Sequence, residues 1–367
     1  MVTYPEDWTP MQLKDLGYIQ MCRRIFQSQT KAYGAIPFYK ISTFGGKADA
    51  YISQELYEQY KALYPYPEKG DVLISAAGTV GKTVIFDGKD SYFQDSNIVW
   101  LKVDKNAIDR KFLWWFYRSY PWEALEGTTI QRLYNSIILK TEIHLPDKPE
   151  QEEIVRTLSQ FDTYIDDLAE LIEKKRGIRD GALEDLMVGR TRIAGYCGER
   201  KEYTISDITR TVITGGTPST ARQEYYGGNI PWLSSTEIHQ KRIKKPTTYI
   251  TDLGLQNSSA KIAPERSVLI ALAGQGKTRG TAAYLTRPMA LNQSLAALVT
   301  NEKCNPEFLY YLIESMYLSL RELSSGDGGR GGLNKKLIKG VTVTIPVDVA
   351  EQEAIADTLT AMDEEIE

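Results

Sequence analysis

Two glycine-rich segments that contain Lys-Thr are the first candidates for chemistry, because loops of this kind can hold phosphate groups. They occupy residues 77–83 (AGTVGKT) and 274–278 (GQGKT). A nucleotide-binding phosphate loop follows the spacing Gly-x-x-x-x-Gly-Lys-Ser/Thr. Ala76 and Ala271 stand where that spacing requires its first glycine. We therefore predict that both loops have a structural role, in a turn that follows a strand. The alternative hypothesis, that the chain is an independent enzyme, would depend on these loops alone.

The carboxylates and histidines do not form a catalytic set. Asp147 and Glu173 are separated by 26 residues of predicted helix, about 39 Å along the axis, so they cannot share a metal ion. His144 and His239 are the two histidines, and neither has a clear nucleophile partner. The Asn/Asp-Pro-Pro-Tyr/Phe motif expected of an adenine methyltransferase does not occur. We predict that the chain is non-catalytic and holds no metal.

Cysteine usage and the N-terminus both favour the cytoplasm. Cys22, Cys197 and Cys304 are scattered and have no Cys-x-x-Cys spacing, which argues against a disulfide framework or a cysteine zinc site. No apolar run reaches membrane-spanning length. The first eight residues, MVTYPEDW, lack the basic start and apolar core of a secretory signal. We expect a cytoplasmic protein.

Charge is unevenly distributed along the chain. The net charge of −4 argues at face value against a nucleic-acid partner. Residues 1–145 carry +1 and residues 200–345 carry +8, whereas residues 146–199 and 346–367 carry −5 and −8. The acidity is therefore confined to two short segments, and one long segment is clearly basic.

Basic side chains in the two longer segments are candidates for contact with double-stranded DNA. Phosphate contacts position a protein on DNA, and contacts to base edges specify the sequence. Two clusters stand out, residues 241–245 (KRIKK) and the glycine-rich residues 326–332, where backbone can approach phosphate closely. The candidates are Arg23, Arg24, Lys47, Lys82, Arg132, Arg222, Lys241, Arg242, Lys244, Lys277, Arg279, Arg330 and Lys335.

The sequence contains an internal repeat of about two hundred residues. Residues 146–154 (PDKPEQEEI) return as residues 346–355 (PVDVAEQEAI). Residues 72–78 and 112–116 return at 268–274 and 308–312, both at an offset of 196. Ile36-Pro37-Phe38 and Ile230-Pro231-Trp232 mark the fronts of the two copies. A period of this length indicates a duplicated domain rather than a solenoid.

Each copy ends in a predicted amphipathic helix. Apolar residues follow one another at alternating steps of four and three, which is the seam of a coiled coil. The first helix is expected over Glu150–Met187, with a kink or local opening where Lys175 and Arg179 interrupt the seam before Ala182 and Leu186 resume it. The predicted seam residues are Ile154, Leu158, Phe161, Ile165, Leu168, Ile172, Ile355, Leu359, Met362 and Ile366.

These observations predict an α+β protein with two homologous mixed α/β domains, joined by long helices that pair as an antiparallel coiled coil. Strand-like runs such as 71–75 and 341–345 alternate with helical runs such as 306–313. The predicted boundaries are 1–148 for the first domain, 149–194 for the helical spacer, 195–348 for the second domain and 349–367 for a second spacer. We expect that second spacer to be shortened, because about 17 residues of it precede the end at Glu367, against about 40 in the first.

The arrangement resembles the specificity subunits of type I restriction-modification enzymes over nearly the whole chain. The resemblance rests on the Pro-to-Glu-Gln-x-x-Ile segments at 146–154 and 346–355. It rests also on GGTPS at 215–219, on GNIPW at 228–232, and on LMVGRTRI at 186–193, which closes the first helix. Each motif is weak alone, and their duplicated order is specific.

The resemblance implies a function in DNA recognition. Each domain would be a target-recognition domain that reads one half of a bipartite, asymmetric DNA target, while the helices set the spacing and dock two methyltransferase subunits. The chain itself would bind no cofactor; its partners would use S-adenosylmethionine, and ATP-dependent restriction subunits would use ATP with Mg²⁺. A first helix of about 60 Å would limit the half-sites to about 18 base pairs apart. The alternative is a coiled-coil scaffold whose domains bind protein without reading DNA.

Overall fold

The computed structural model describes residues 4–104, 106–122, 132–274, 276–324 and 332–367. The chain divides into two compact units, a first unit at Met1–Asp167 and a second unit at Leu168–Glu367. Arg330, one of the predicted DNA contacts, lies outside the described residues. Within these ranges no helix is both long enough and apolar enough to cross a membrane.

The described residues of the first unit form three β-sheets. β1 pairs with β9; β2, β8, β5 and β6 form an antiparallel sheet in that order; and β4, β3 and β7 form a smaller sheet in which β3 and β7 are parallel. The described strands are β1 (Thr9–Gln12), β2 (Gly17–Met21), β3 (Ile36–Tyr39), β4 (Ala50–Ile52), β5 (Val72–Ser75), β6 (Thr83–Ile85), β7 (Tyr92–Phe93), β8 (Ile98–Val103) and β9 (Glu142–Leu145). The described α-helices are α1 (Leu13–Leu16), α2 (Gln54–Leu63), α3 (Arg110–Ser119), α4 (Asn135–Lys140) and α5 (Lys148–Val188), which continues into the second unit.

The second unit repeats this plan. β10 pairs with β20, while β11, β19, β16, β17 and β13 form one sheet and β14, β12, β18 and β15 form another. The described strands are β10 (Arg200–Thr204), β11 (Thr209–Thr214), β12 (Tyr226–Leu233), β13 (Arg242–Ile243), β14 (Thr248–Ile250), β15 (Lys261–Ala263), β16 (Val268–Ala271), β17 (Ala282–Leu285), β18 (Met289–Leu291), β19 (Leu295–Thr300) and β20 (Thr342–Pro346). The described α-helices are α6 (Ile205–Ile208), α7 (Asp252–Gln256), α8 (Pro306–Ser315), α9 (Tyr317–Leu323), α10 (Lys335–Lys339) and α11 (Val349–Glu364).

The central strand of each unit is buried on both faces. Because successive side chains of a strand point to opposite sides, Val72 and Ile74 pack with α3, whereas Leu73 packs with the smaller sheet. In the second unit Val268 and Ile270 pack with α8, and Leu269 faces the other way. This three-layer arrangement confirms the predicted pair of homologous α/β domains.

Candidate nucleic-acid interface

A buried glutamine fixes the start of the long helix in the first unit. Gln151 is 1% exposed. Its Nε2 donates to the Pro146 carbonyl at 3.0 Å, and its Oε1 accepts from the Asp109 N–H at 2.8 Å. Asp109 is also the N-cap of α3, since its carboxylate accepts from the first amides of that helix. One amide side chain therefore ties α5 to α3 and to the strand end before it.

The second unit contains the same network. Gln352 is fully buried. Its Nε2 donates to the carbonyls of Pro346 at 2.8 Å and Lys303 at 3.0 Å, and its Oε1 accepts from the Asn305 N–H at 2.8 Å. Asn305 is the N-cap of α8. The repeated Glu-Gln motif is therefore structural, because its glutamine satisfies buried backbone groups that would otherwise lack partners.

The C-terminal half of α5 runs antiparallel to α11 within the second unit. Lys175 Nζ lies 2.6 Å from Glu365, and one turn later Arg179 Nε lies 3.0 Å from Asp363. Arg179 is buried and also donates to Glu314. Burial alone would lower the pKa of Arg179, but its hydrogen bonds and attraction to Glu314 and Asp363 raise the pKa above its ordinary value.

The apolar residues of that pairing are those where the predicted seam resumes. Ile355 and Leu359 of α11 are buried in one core with Leu186, and Ala182 and Met362 pack against it. The helix continues through Gly177 and Gly181 without a break. The predicted alternative of a local opening was therefore wrong, because the carboxylates of Glu314 and Asp363 accommodate the interrupting Arg179 instead.

The earlier part of the α5 seam is largely uncovered. Ile154 packs against the core of the first unit, and Leu158 is half-buried. Phe161 and Ile165 are 61% and 60% exposed. An apolar face therefore remains open on α5 in the first unit. Further along the helix, the other predicted seam residues are also exposed, namely Leu168 and Ile172, while Ile366 at the end of the chain is half-buried.

A tight hairpin loop at residues 76–82 joins β5 to β6 in the first unit. The Ser75 N–H donates to the Lys82 carbonyl at 2.8 Å, and the Lys82 N–H donates to Ser75 Oγ at 2.9 Å. Gly81 lies against the indole of Trp122, where a methyl group would be 2.3 Å from Trp122 Cδ1. This loop is the first glycine-rich Lys-Thr segment, and the structure confirms its predicted turn role.

The corresponding loop of the second unit, residues 272–281, is three residues longer. It joins β16 to β17, and the Ala271 N–H donates to the Thr281 carbonyl at 3.0 Å, as Ser75 does to Lys82. Side chains of α9 hold the loop from one side. Tyr317 donates to the Lys277 carbonyl at 3.0 Å, and Arg321 donates to the Gly276 carbonyl at 2.6 Å.

A second loop meets the hairpin loop in each unit. In the second unit, the 3-10 turn Ser235–Gln240 follows β12, and His239 Nε2 lies 3.2 Å from Thr278 Oγ1. In the first unit, the turn at residues 41–46 follows β3, and a methyl group on Gly45 would lie 3.0 Å from Lys82 Cε. Gly45 has a φ of 70°, in the left-handed region that favours glycine. We call these two contacts the loop junctions.

The predicted basic residues of the first unit lie in different surroundings. Lys82 is exposed at the loop junction, and Arg132 is close to it, because Arg132 forms a β-bridge with Ala77. Lys47 is exposed just after the turn at 41–46. Arg24 pairs with Asp95 at 3.7 Å. The guanidinium of the remaining candidate, Arg23, lies 5.2 Å from the ring of Tyr64.

Two predicted residues of the second unit are engaged by its helices. Arg242 donates to Glu307 at 3.0 Å and to Thr360 at 2.9 Å. Burial alone would lower the pKa of Arg242, but its hydrogen bonds to Glu307 and Tyr311, together with its electrostatic attraction to both groups, raise the pKa above its ordinary value. Lys241 lies 3.6 Å from Asp363. Both side chains therefore make contacts that stabilise the fold around α8 and α11.

The other candidates of the second unit are on its surface or near the hairpin loop. Lys277 and Arg279 belong to that loop, Lys277 exposed and Arg279 half-buried. Lys335 begins α10, two residues after Leu333, whose N–H donates to the Leu272 carbonyl at the base of the same loop at 3.1 Å. Elsewhere on the surface, Lys244 is exposed and Arg222 pairs with Glu224 at 3.2 Å.

Sequence reasoning missed His239, Tyr317 and Arg321. His239 was examined only as a catalytic base, and its partner Thr278 is 39 residues away. The one signal that could have found the pair is the repeat itself, because the segments after IPF and IPW precede corresponding hairpins in both copies.

Comparison with known proteins agrees with this duplicated architecture. A family model described as a type I restriction modification DNA specificity domain matches the chain twice, at residues 5–175 and 198–367. A type I restriction enzyme specificity subunit of Haemophilus influenzae is 52% identical over 160 residues, which cover 44% of this chain and 42% of that protein. One from Escherichia coli is 25% identical, over 71% of this chain and 65% of its own length. The chain thus matches less than two thirds of the length of these two relatives.

Solved structures with the same fold can be aligned with the whole of this chain. The S subunit of a type I restriction-modification system from Mycoplasma genitalium covers 100% of this chain and 92% of its own, with a TM-score of 0.59 at 17% identity. The HsdS subunit from Thermoanaerobacter tengcongensis also covers 100% of this chain, and 91% of its own, with a TM-score of 0.52 at 16% identity.

Proposed function

Because the chain belongs to the family of type I restriction modification DNA specificity domains and contains two copies of that domain, we propose that it reads a bipartite DNA target, one half with each unit. The two copies differ in sequence, so the target would be asymmetric. The chain supplies recognition, and its partners supply methyl transfer and cleavage with S-adenosylmethionine, ATP and Mg²⁺.

The observation that carries this proposal is the repeated hairpin loop with basic residues beside it. Lys82 and Arg132 lie at the loop of the first unit, and Lys277, Arg279 and Lys335 lie at or near the loop of the second. Cations near an exposed loop can neutralise phosphates and bring neighbouring side chains to the base edges. Two such surfaces on one chain fit a target in two parts.

Docking of methyltransferase subunits is proposed at the open face of α5 in the first unit. Phe161, Tyr164 and Ile165 form an exposed apolar patch on that helix. Exposed patches of large apolar residues are typical of protein interaction sites. Phe161→Asp is expected to weaken co-purification with the methyltransferase subunits, whereas Thr163→Asp, on the opposite face of α5, is expected to leave it unchanged. Equal retention in both variants would contradict this docking site.

The test of DNA reading is methylation mapping. The full chain is combined with its methyltransferase subunits and S-adenosylmethionine, and a pool of random duplexes is methylated and sequenced. The proposal predicts two short specified blocks separated by an unspecified spacer. Methylation without sequence preference would contradict it. Binding of duplex DNA should also weaken as the salt concentration is raised. If it does not, the result would favour the alternative, a coiled-coil scaffold that binds protein.

A further inference from the structure

The loop junctions differ chemically between two otherwise equivalent places. The first unit presents the ammonium of Lys82 beside Gly45, and the second presents the imidazole of His239 beside the hydroxyl of Thr278. Lys82, His239 and Thr278 are each at least partly accessible to solvent. We propose that the loop junctions read base edges, so that Lys82 in the first unit and the His239–Thr278 pair in the second determine sequence specificity. This inference rests on the proposed function.

The difference between the two junctions bears on base reading rather than on phosphate binding. The DNA backbone is the same at both half-sites, and both hairpin loops carry an exposed lysine that could meet it, Lys82 in the first unit and Lys277 in the second. What differs is the contact between the two loops of each unit, because only the second junction brings together two groups that can each donate or accept a hydrogen bond. Its hairpin loop is also three residues longer. Two domains that recognise different base sequences need different hydrogen-bonding groups and different loop lengths, and the two junctions differ in both respects.

The two junctions are suited to different base edges. An ammonium group donates and cannot accept, so Lys82 matches the N7 and O6 acceptors of guanine. A threonine hydroxyl can serve a donor or an acceptor on a base. His239, at 3.2 Å from Thr278 Oγ1, takes up one of the hydrogen-bonding positions of that hydroxyl and so orients the remainder.

Each junction stands on a rigid support. In the first unit the backbone of Lys82 is hydrogen-bonded on both its N–H and its carbonyl to Ser75, which is buried. In the second unit Tyr317 and Arg321 of α9 bind the carbonyls of Lys277 and Gly276. We assign Tyr317 and Arg321 as positioning residues, because a reading side chain must be held near its working geometry.

The experiment measures binding of the full chain, with its methyltransferase subunits, to a set of duplexes in which each target position is varied. Thr278→Val and His239→Asn are expected to lose roughly tenfold discrimination at one position of one half-site. Lys82→Met is expected to lose discrimination at one position of the other half-site. Lys335→Met serves as the comparison for a phosphate contact, which should weaken binding to all sequences alike and reduce the dependence on salt.

The unaltered half-site serves as the folding control for each variant. Retained preference there shows that the complex is assembled and that DNA is bound. Unchanged preference at every position, or uniform weakening as in Lys335→Met, would overturn the assignment while leaving the proposed function intact. A wild-type complex without any base preference would overturn both. The positioning role predicts that Tyr317→Phe broadens preference only at the position read by Thr278, and broadening elsewhere would exclude it.

Discussion

Replacing Arg179 by methionine removes the cation that Glu314 and Asp363 share in a buried cluster, and leaves Asp363 with the more exposed Lys241 at 3.6 Å. The Arg179 side chain is 6% exposed, and those of Glu314 and Asp363 are 24% and 16% exposed. Breaking a buried ion pair by removing one partner costs about 3–5 kcal/mol, because the remaining charge is desolvated without compensation. We expect a loss of this size in the free energy of unfolding of the second unit.

The repeat supplies a matched control in the first unit. Arg118 occupies the place of Glu314 at the offset of 196, and it pairs with Asp162 at 3.4 Å. These side chains are 46% and 40% exposed, and solvent-exposed pairs contribute about 0–1 kcal/mol. Arg118→Met is therefore expected to change stability by less than about 1 kcal/mol. Each variant removes an arginine that pairs with the aspartate at the equivalent place of its unit, Asp162 or Asp363, and the two arginines differ in burial.

Hydrogen exchange followed by mass spectrometry is the suitable assay, because it reports the opening of α3 and of α8 and α11 separately in a chain of two units. Arg179→Met should speed exchange in α8 and α11 by a factor on the order of a hundred to a few thousand. Adding Glu314→Gln and Asp363→Asn should restore most of the protection, since neither of these two positions then carries a desolvated charge. An effect of Arg179→Met no larger than that of Arg118→Met would refute the role assigned to the buried cluster.

Two further predictions concern buried groups. Burial raises the pKa of Cys22 and of Cys304 to about 12, so at pH 8 only about one of these thiols in ten thousand is ionised. Iodoacetamide should therefore label Cys197 alone in the folded chain. Rapid labelling of Cys22 or Cys304 would show that the surrounding core opens readily. Gln352→Leu should lower the free energy of unfolding by about 3 kcal/mol, because the buried Pro346 carbonyl and the partly buried Lys303 carbonyl and Asn305 N–H all lose their partner. Gln160→Leu, at an exposed position, should change it by less than about 0.5 kcal/mol in the same denaturant titration.

The fold was largely predictable because its signals are periodic or repeated. The helix predicted over Glu150–Met187 is observed at Lys148–Val188, and the strand predicted at 341–345 is observed at Thr342–Pro346. Hydrophobic spacing of this kind reports local structure directly. The duplicated segments were also sufficient to predict that the second domain has the same fold as the first, as the sheets of the two units show.

The environment of single charged residues was not predictable in the same way. Arg242 belongs to a basic cluster in sequence, yet its partners Glu307 and Thr360 lie 65 and 118 residues further along the chain. His239 and Thr278 meet across 39 residues. Such contacts depend on how strands and turns pack in three dimensions, and composition or periodicity carries no information about them. A cluster of charge in the sequence therefore does not show which of its members are exposed and which are engaged within the fold.

The charge difference between Arg118 and Glu314 also bears on which helices can pair. A helix that presents an arginine, as α5 does at Arg179, is attracted by Glu314 and Asp363 in the second unit. At the equivalent place in the first unit, Asp162 is already paired with Arg118, so a further arginine would meet like charge. The seam of α5 in the first unit and that of α11 carry similar apolar residues at the same spacing, and repulsion is an effective way to distinguish partners that are otherwise alike. We therefore expect the open face of α5 in the first unit to pair with a helix that has no arginine or lysine facing Arg118 and Asp162.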